Sequence, residues 1–148
     1  MACQFSAPFQ FSLKNVCYSS SSTLLASASG STLTIRDAVT LEILDTHTCI
    51  DKIEKIEFSP DSSYILCGIY TRCAIQVFSV ADSKWRCRIN ESVAGIVSAS
   101  WSPDSRHIVV ESDFGIQLAI WSLVENISYI INSPKFGQSV YSFSDCGM

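Results

Sequence analysis

Two stretches decide the fold: "FSPDSSYILCGIYTRCAIQVFS", Phe58 to Ser79, and "WSPDSRHIVVESDFGIQLAIWS", Trp101 to Ser122. Laid over each other they keep one register. Phe58 falls on Trp101, the tetrapeptide Ser59-Pro60-Asp61-Ser62 on Ser102-Pro103-Asp104-Ser105, and Phe78-Ser79 on Trp121-Ser122, each pair 43 positions apart. Landmarks held over that distance mark a structural repeat rather than a chance tetrapeptide.

The repeat extends in both directions. Tyr18, followed by "SSSSTLLASAS", occupies the place of Phe58 one unit earlier, and Arg36-Asp37, closing "LTIRD", occupies that of Phe78-Ser79. Phe143, in "FSDCG", begins a further unit that lacks the proline. The boundaries fall at about 13–49, 50–92 and 93–135, with 136–148 as the start of a fourth unit and 1–12 as an N-terminal segment of a single domain.

Inside each unit the apolar residues alternate with period two in short β-branched and aromatic runs separated by turn residues, a strand pattern. One unit reads "AGIVSASW", "HIVVES", "IQLAIWSL" and "ISYIIN"; the unit before it reads "KIEKIEF", "YILCGI", "AIQVFSV" and "WRCRIN". Four strands in about 43 residues is the content of one blade of a β-propeller. The expected fold is therefore all-β, a partial propeller of four-stranded antiparallel blades. Proline presets φ at the first central position of a turn and aspartate bonds the local backbone, so Ser59-Pro60-Asp61 and Ser102-Pro103-Asp104 are expected at the corner between first and second strands. A serine before proline also reads as a phosphorylation site.

The sequence resembles the WD-repeat family from about Leu13 onward. The family's closing Trp-Asp stands here as Arg36-Asp37, Phe78-Ser79 and Trp121-Ser122, and its Gly-His at the head of the first strand is missing. The runs "CIDKIEKIEFSPDSSYILCGIYTRCAIQVFSV", "AGIVSASWSPDSRHIVVES" and "ISYIINSPK" resemble the opening blades of a divergent centrosomal and spindle-pole branch of that family. That resemblance implies a non-enzymatic scaffold which, with a coiled-coil anchoring protein, holds microtubule minus ends at the pole. In animals the same branch extends to centriolar satellites and cilium assembly. A WD-repeat adaptor of another assembly, such as a ubiquitin ligase, is the alternative drawn from the general fold.

Three blades do not close a ring of four to eight. If each open blade face exposes about 500 Å² of apolar area, the loss at about 25 cal/mol per Å² is roughly 12 kcal/mol per face. The chain therefore reads as the N-terminal part of a longer propeller. Phe5 to Phe11 is a candidate strand for completing a last blade.

Composition narrows the function. The chain has 148 residues, 47% of them hydrophobic, and a formal charge of −4 with only ten Lys and Arg, scattered singly except where Arg86 and Arg88 flank Cys87. That is no phosphate-neutralising stripe, so neither nucleic acid nor an anionic membrane is an expected ligand. No apolar run approaches the roughly 20 residues of a membrane span, and the first residues lack a basic leader, so a soluble chain of the cytosol or nucleus is expected, the resemblance favouring the cytoplasm and its cytoskeleton. The seven cysteines are irregularly spaced, with no C-x-x-C pair, and read as small buried hydrophobes; Cys67 and Cys73 flank a hairpin and are placed to face each other across it.

No catalytic constellation is legible. His47, in "DTHTC", reads as a loop residue between blades, and His107 as a surface residue opening a strand. Neither a glycine-rich phosphate loop nor a G-x-S-x-G is present, so no cofactor, metal or small-molecule substrate is expected. Binding remains, and propellers present it on loops at the strand ends. The connections between second and third strands place Tyr70, Arg72 and Phe114 on one face, and aromatics and arginine are favoured at interface hot spots. Tyr70 and Phe114 also read as caps over blade edges, and Trp85 either as an exposed contact or as a lid over Phe78.

Overall fold

The computed structural model describes residues 7–8, 15–91, 95–132 and 142–144. Its first four strands, β1 (Val16–Tyr18), β2 (Leu24–Ser29), β3 (Thr32–Asp37) and β4 (Ile43–Thr48), form one antiparallel sheet in chain order. The second sheet is β5 (Lys55–Phe58), β6 (Tyr64–Ile69), β7 (Ala74–Ser79) and β8 (Arg86–Asn90). The third is β9 (Ser98–Trp101), β10 (His107–Glu111), β11 (Gln117–Ser122) and β12 (Ile127–Asn132). Each is a meander in which neighbours in sequence pair, and the first strands β1, β5 and β9 lie beside one another. That is the blade order expected of a partial β-propeller.

Register explains how alternation becomes packing. Ile65 pairs with Phe78 and Cys67 with Gln76, so every second residue of β6 and β7 faces the first sheet, while Leu66, opposite Val77, faces the third. Two cores result. Ala26, Ala28, Leu33 and Ile35 meet Ile56, Phe58, Ile65, Ile69 and Phe78 between the first and second sheets. Leu66, Ile75, Val77 and Ile89 meet Ala99, Trp101, Ile108, Val110 and Ala119 between the second and third. The central sheet is covered on both faces, which is why its strands read as nearly continuous apolar runs.

The innermost strands are shorter than the apolar runs that announce them: β5 begins at Lys55 rather than Lys52, and β9 at Ser98. The preceding residues form the connection between sheets, where Ile53 is buried and its N–H donates to the Gly30 carbonyl at 2.8 Å. An apolar residue there serves core packing outside any strand. Ala94 and most of the segment Phe5 to Phe11 lie outside the described residues, as does most of 136–148.

Three expectations require correction. His47 is not a loop residue: it lies in β4, buried, with its ring stacked on Phe78 at 4.4 Å and 17°. Trp85 neither covers Phe78 nor stands out as a contact; it packs on Tyr64, with ring centroids 5.1 Å apart, against the second core. Cys67 does not face Cys73, because Ile69 pairs with Ala74 and leaves Cys73 in the turn beyond the ladder. Cys67 instead joins Cys49 in the first core, where a hydrogen bond with Cys49 and burial hold its thiol well above the usual range. His107 opens β10 as expected, with its side chain 35% exposed and its Nδ1 2.7 Å from Asp104 Oδ2.

Candidate interaction surface

The sheets have two ends, one carrying the turns between first and second strands, the other the turns between second and third together with the sheet-to-sheet connections. At the first end the three turns are built alike. Ser59 N–H donates to the Tyr64 carbonyl, Ser62 N–H to the Ser59 carbonyl, and Asp61 Oδ1 accepts from Ser63 N–H at 3.0 Å. Ser59 Oγ donates to Asp61 Oδ1 at 2.6 Å and accepts from Tyr64 N–H at 3.0 Å. Ser102 and Asp104 repeat these bonds with Arg106 and His107 N–H. In the first sheet Ser19 holds Leu24 and Ser21 stands in place of the aspartate. Ser22, Ser62 and Ser105 all take positive φ, 58°, 64° and 59°.

These bonds fix the carboxylates. Partial burial pushes the Asp104 carboxyl up, but the Ser102 hydroxyl, Arg106 N–H and His107 outweigh it and hold its pKa at about 2. Asp61 is lowered by the same balance, burial being offset by Ser59 and Ser63. Ser59 and Ser102 are buried with both hydroxyls engaged, an arrangement that closes turns and withholds those oxygens from a kinase.

At the other end, β6 runs into a 3₁₀ turn, Tyr70–Arg72, closed by Cys73 N–H to the Tyr70 carbonyl at 2.9 Å with Cys73 left-handed. The incoming connection braces it: Glu54 Oε1 accepts from Thr71 N–H and Oγ1 at 2.7 and 2.6 Å, and Asp51 Oδ2 from Arg72 Nε at 2.6 Å. Arg72 and Lys52 N–H hold the Asp51 carboxyl below its usual value. The Arg72–Asp51 pair is largely exposed, so water screens it, it adds little to stability, and its groups stay accessible at the surface.

Tyr70 turns inward. Its Oη accepts from Ala99 N–H at 3.3 Å, tying the second sheet to the first strand of the third, and Lys55 Nζ donates to the carbonyl of the same Ala99 at 2.6 Å. The ring lies over Gly68, where an added Cβ would come within 2.6 Å of Tyr70 Cε1. Phe114 is the opposite case. It sits in the Asp113–Gly115 turn at φ 57°, followed by Gly115 at 60°, and is 77% exposed. Val97 and Ile116, also exposed, enter β9 and β11 at this end. Of the three residues singled out in the sequence, Arg72 and Phe114 are presented outward and Tyr70 is half-buried as a link between blades.

Sequence reading passed over Glu91. Its Oε1 accepts from Trp121 Nε1 at 2.9 Å and its Oε2 from Gln117 Nε2 at 3.1 Å, so one carboxylate in the connection binds two positions of the third strand. In the second sheet Phe78, at the place of Trp121, has no N–H to give and stacks on His47 instead. The signal was the difference Phe78 against Trp121, since only an indole requires an acceptor.

Stacked four-stranded meanders with a short turn at one end are the blade architecture of a β-propeller. Solved structures agree: "Structure of U3-55K" aligns at a TM-score of 0.69 over 85% of this chain and 41% of that one, at 10% identity. A crystal structure of RRP9 WD40 repeats aligns at 0.70 over 87% and 41%, again at 10% identity. At that identity the likeness is one of fold. In sequence, the chain is a homologue of mouse WD repeat-containing protein WRAP73, 41% identical over 144 residues, which is 97% of this chain. It spans 31% of that relative's length. No family model matches the chain.

Proposed function

We propose that the chain is part of a non-enzymatic scaffold at the centrosome or spindle pole, which with a coiled-coil partner holds microtubule minus ends. The observation that supports this reading most is the 41% identity to a WD-repeat protein along nearly the whole chain, in runs that resemble the spindle-pole branch. WD-repeat proteins bind other proteins, and the exposed Arg72–Asp51 pair with Phe114 at one end of the blades is the surface put forward for that contact. Three blades, with a fourth beginning after residue 135, form the proposed division of the chain.

The test is to express the tagged chain, and a longer homologue containing it, in dividing cells, and to identify bound proteins by mass spectrometry alongside imaging. Concentration at spindle poles with a coiled-coil minus-end protein in the purified complex is the expected result. Recovery of ubiquitin-ligase core subunits with no signal at the poles would overturn it.

A further inference from the structure

Lys84, Arg86 and Arg88 form the densest basic run in the sequence, and β8 carries the two arginines to a seam. Arg86 pairs with Phe78 and Arg88 with Gln76, so both arginines share the face of the second sheet that looks toward the first, while Cys87 between them looks the other way. Beside Gln76 lies an open notch of about 320 Å³, lined by Thr48, Cys49, Ile50, Gln76, Arg86, Arg88 and the Cys87 between them.

The notch is rich in donors and poor in acceptors. Arg88 Nε donates to Asn90 Oδ1 at 2.7 Å, which holds the guanidinium in place without neutralising it. Neither arginine forms an ion pair among the described residues. Asp51, next to Ile50 of the lining, is committed to Arg72. Gln76 Oε1 accepts from Ile50 N–H at 2.8 Å, so the polar atom left on its amide is the donor Nε2. A floor of cysteine and isoleucine with donors on one wall is complementary to an anionic group carried on a chain.

The repeat provides an internal comparison. At the corresponding positions of β12, paired opposite Trp121 and Ala119, stand Ser128 and Ile130. The architecture of a blade therefore does not require arginine there, and two guanidinium groups placed side by side on a chain of net charge −4 call for a reason outside the fold.

We propose that this notch binds an acidic segment of a partner protein, through aspartate or glutamate side chains or a phosphorylated residue, with Arg86 and Arg88 as its anchors. The inference rests on the scaffold reading, because its ligand is a stretch of another protein. Arginine at both positions suits a planar, two-oxygen anion.

The experiment uses the 148-residue chain and three fluorescein-labelled Gly-Ser peptides, carrying three glutamates, a single phosphoserine, or three glutamines, with binding read by anisotropy. The glutamate or the phosphoserine peptide should bind, the glutamine peptide should not, and R86Q/R88Q should weaken binding by about tenfold or more. Set against the single variant R88Q, Lys52→Gln, which removes an equal charge away from the lining, should leave affinity within about twofold. Binding of the phosphoserine peptide alone assigns the anion as phosphoryl; binding of the glutamate peptide assigns it as carboxylate. Equal binding of all three peptides, equal loss in K52Q, or Arg-dependent capture of a labelled single-stranded oligonucleotide in preference to the peptides would overturn the proposal. Both arginines are exposed, so the variants should melt as the parent does. Pole localisation that survives R86Q/R88Q, with no acidic-peptide binding, sinks the notch and spares the scaffold reading.

Discussion

The backbone N–H of Asp61 donates to the side-chain oxygen of Ser105 across 3.0 Å, linking the turn of the second blade to that of the third. The turn before it does the same, Ser21 N–H reaching Ser62 Oγ at 3.3 Å. The final serine of each turn thus receives the third residue of the turn before, and the repeated tetrapeptide acts between blades as well as within one. Ser105→Ala removes the acceptor of the Asp61 N–H and should destabilise by about 0.5–1.5 kcal/mol. Because Ser105 has φ 59°, Ser105→Gly separates strain from the lost acceptor. Both variants should lower the urea midpoint, alanine further than glycine.

Acid should act through the same turns. Asp104, held at about 2 against its ordinary 3.8, supports the folded state more strongly once ionised, and its contribution is present above about pH 4 and lost as pH falls toward 2. Asp61 is lowered in the same direction. Melting temperature plotted from pH 5 to 2 should fall less steeply in Asp104→Asn than in the parent, while the two curves run parallel above pH 5.

Gly68 is a glycine because of Tyr70. A methyl group there meets the ring at 2.6 Å, so Gly68→Ala should displace it, release Ala99 N–H, and cost about 1–3 kcal/mol. In a Tyr70→Ala background the same change should cost much less. A double-mutant cycle by urea denaturation measures the difference, and additivity would refute the contact.

One sheet position is covered in the second blade and bare in the third. Ile75 pairs with Ile89, and both are buried against the third sheet. Leu118 pairs with Ile131 at the equivalent place, yet Ile131 is 49% exposed and Tyr129 beside it 53%. Ile89→Ala should therefore cost about 2–5 kcal/mol, and Ile131→Ala less than about 1 kcal/mol. Equal losses would show that β12 is covered in solution, a result that light scattering would connect to self-association.

Much of this was legible beforehand. The short β-branched and aromatic runs "YILCGI" and "AIQVFSV" have the length and composition of strands, and the proline and aspartate of the turns act on their own backbone, so strand identity, order and corners followed from short stretches. Where an apolar run continued past the strand, as from Lys52 to Glu54, the pattern gave no boundary, because Ile53 is buried by packing rather than by the ladder. Of the proposed binding residues, the turn placed Tyr70, Arg72 and Phe114 at one end, but nothing local to Tyr70 says that its hydroxyl meets Ala99, 29 positions away.

What the sequence determined by itself was the blade: its four strands, its serine–aspartate turn and its repetition, all set by interactions within a few residues. What only the tertiary structure decided was how the blades meet. His47 on Phe78, Glu91 under Trp121, Ser105 on Asp61 and the two arginines facing a notch each join residues from different blades. Their partners are chosen by register and by the stacking of one sheet on the next, and neither distance nor orientation across that seam is encoded in any contiguous stretch of chain.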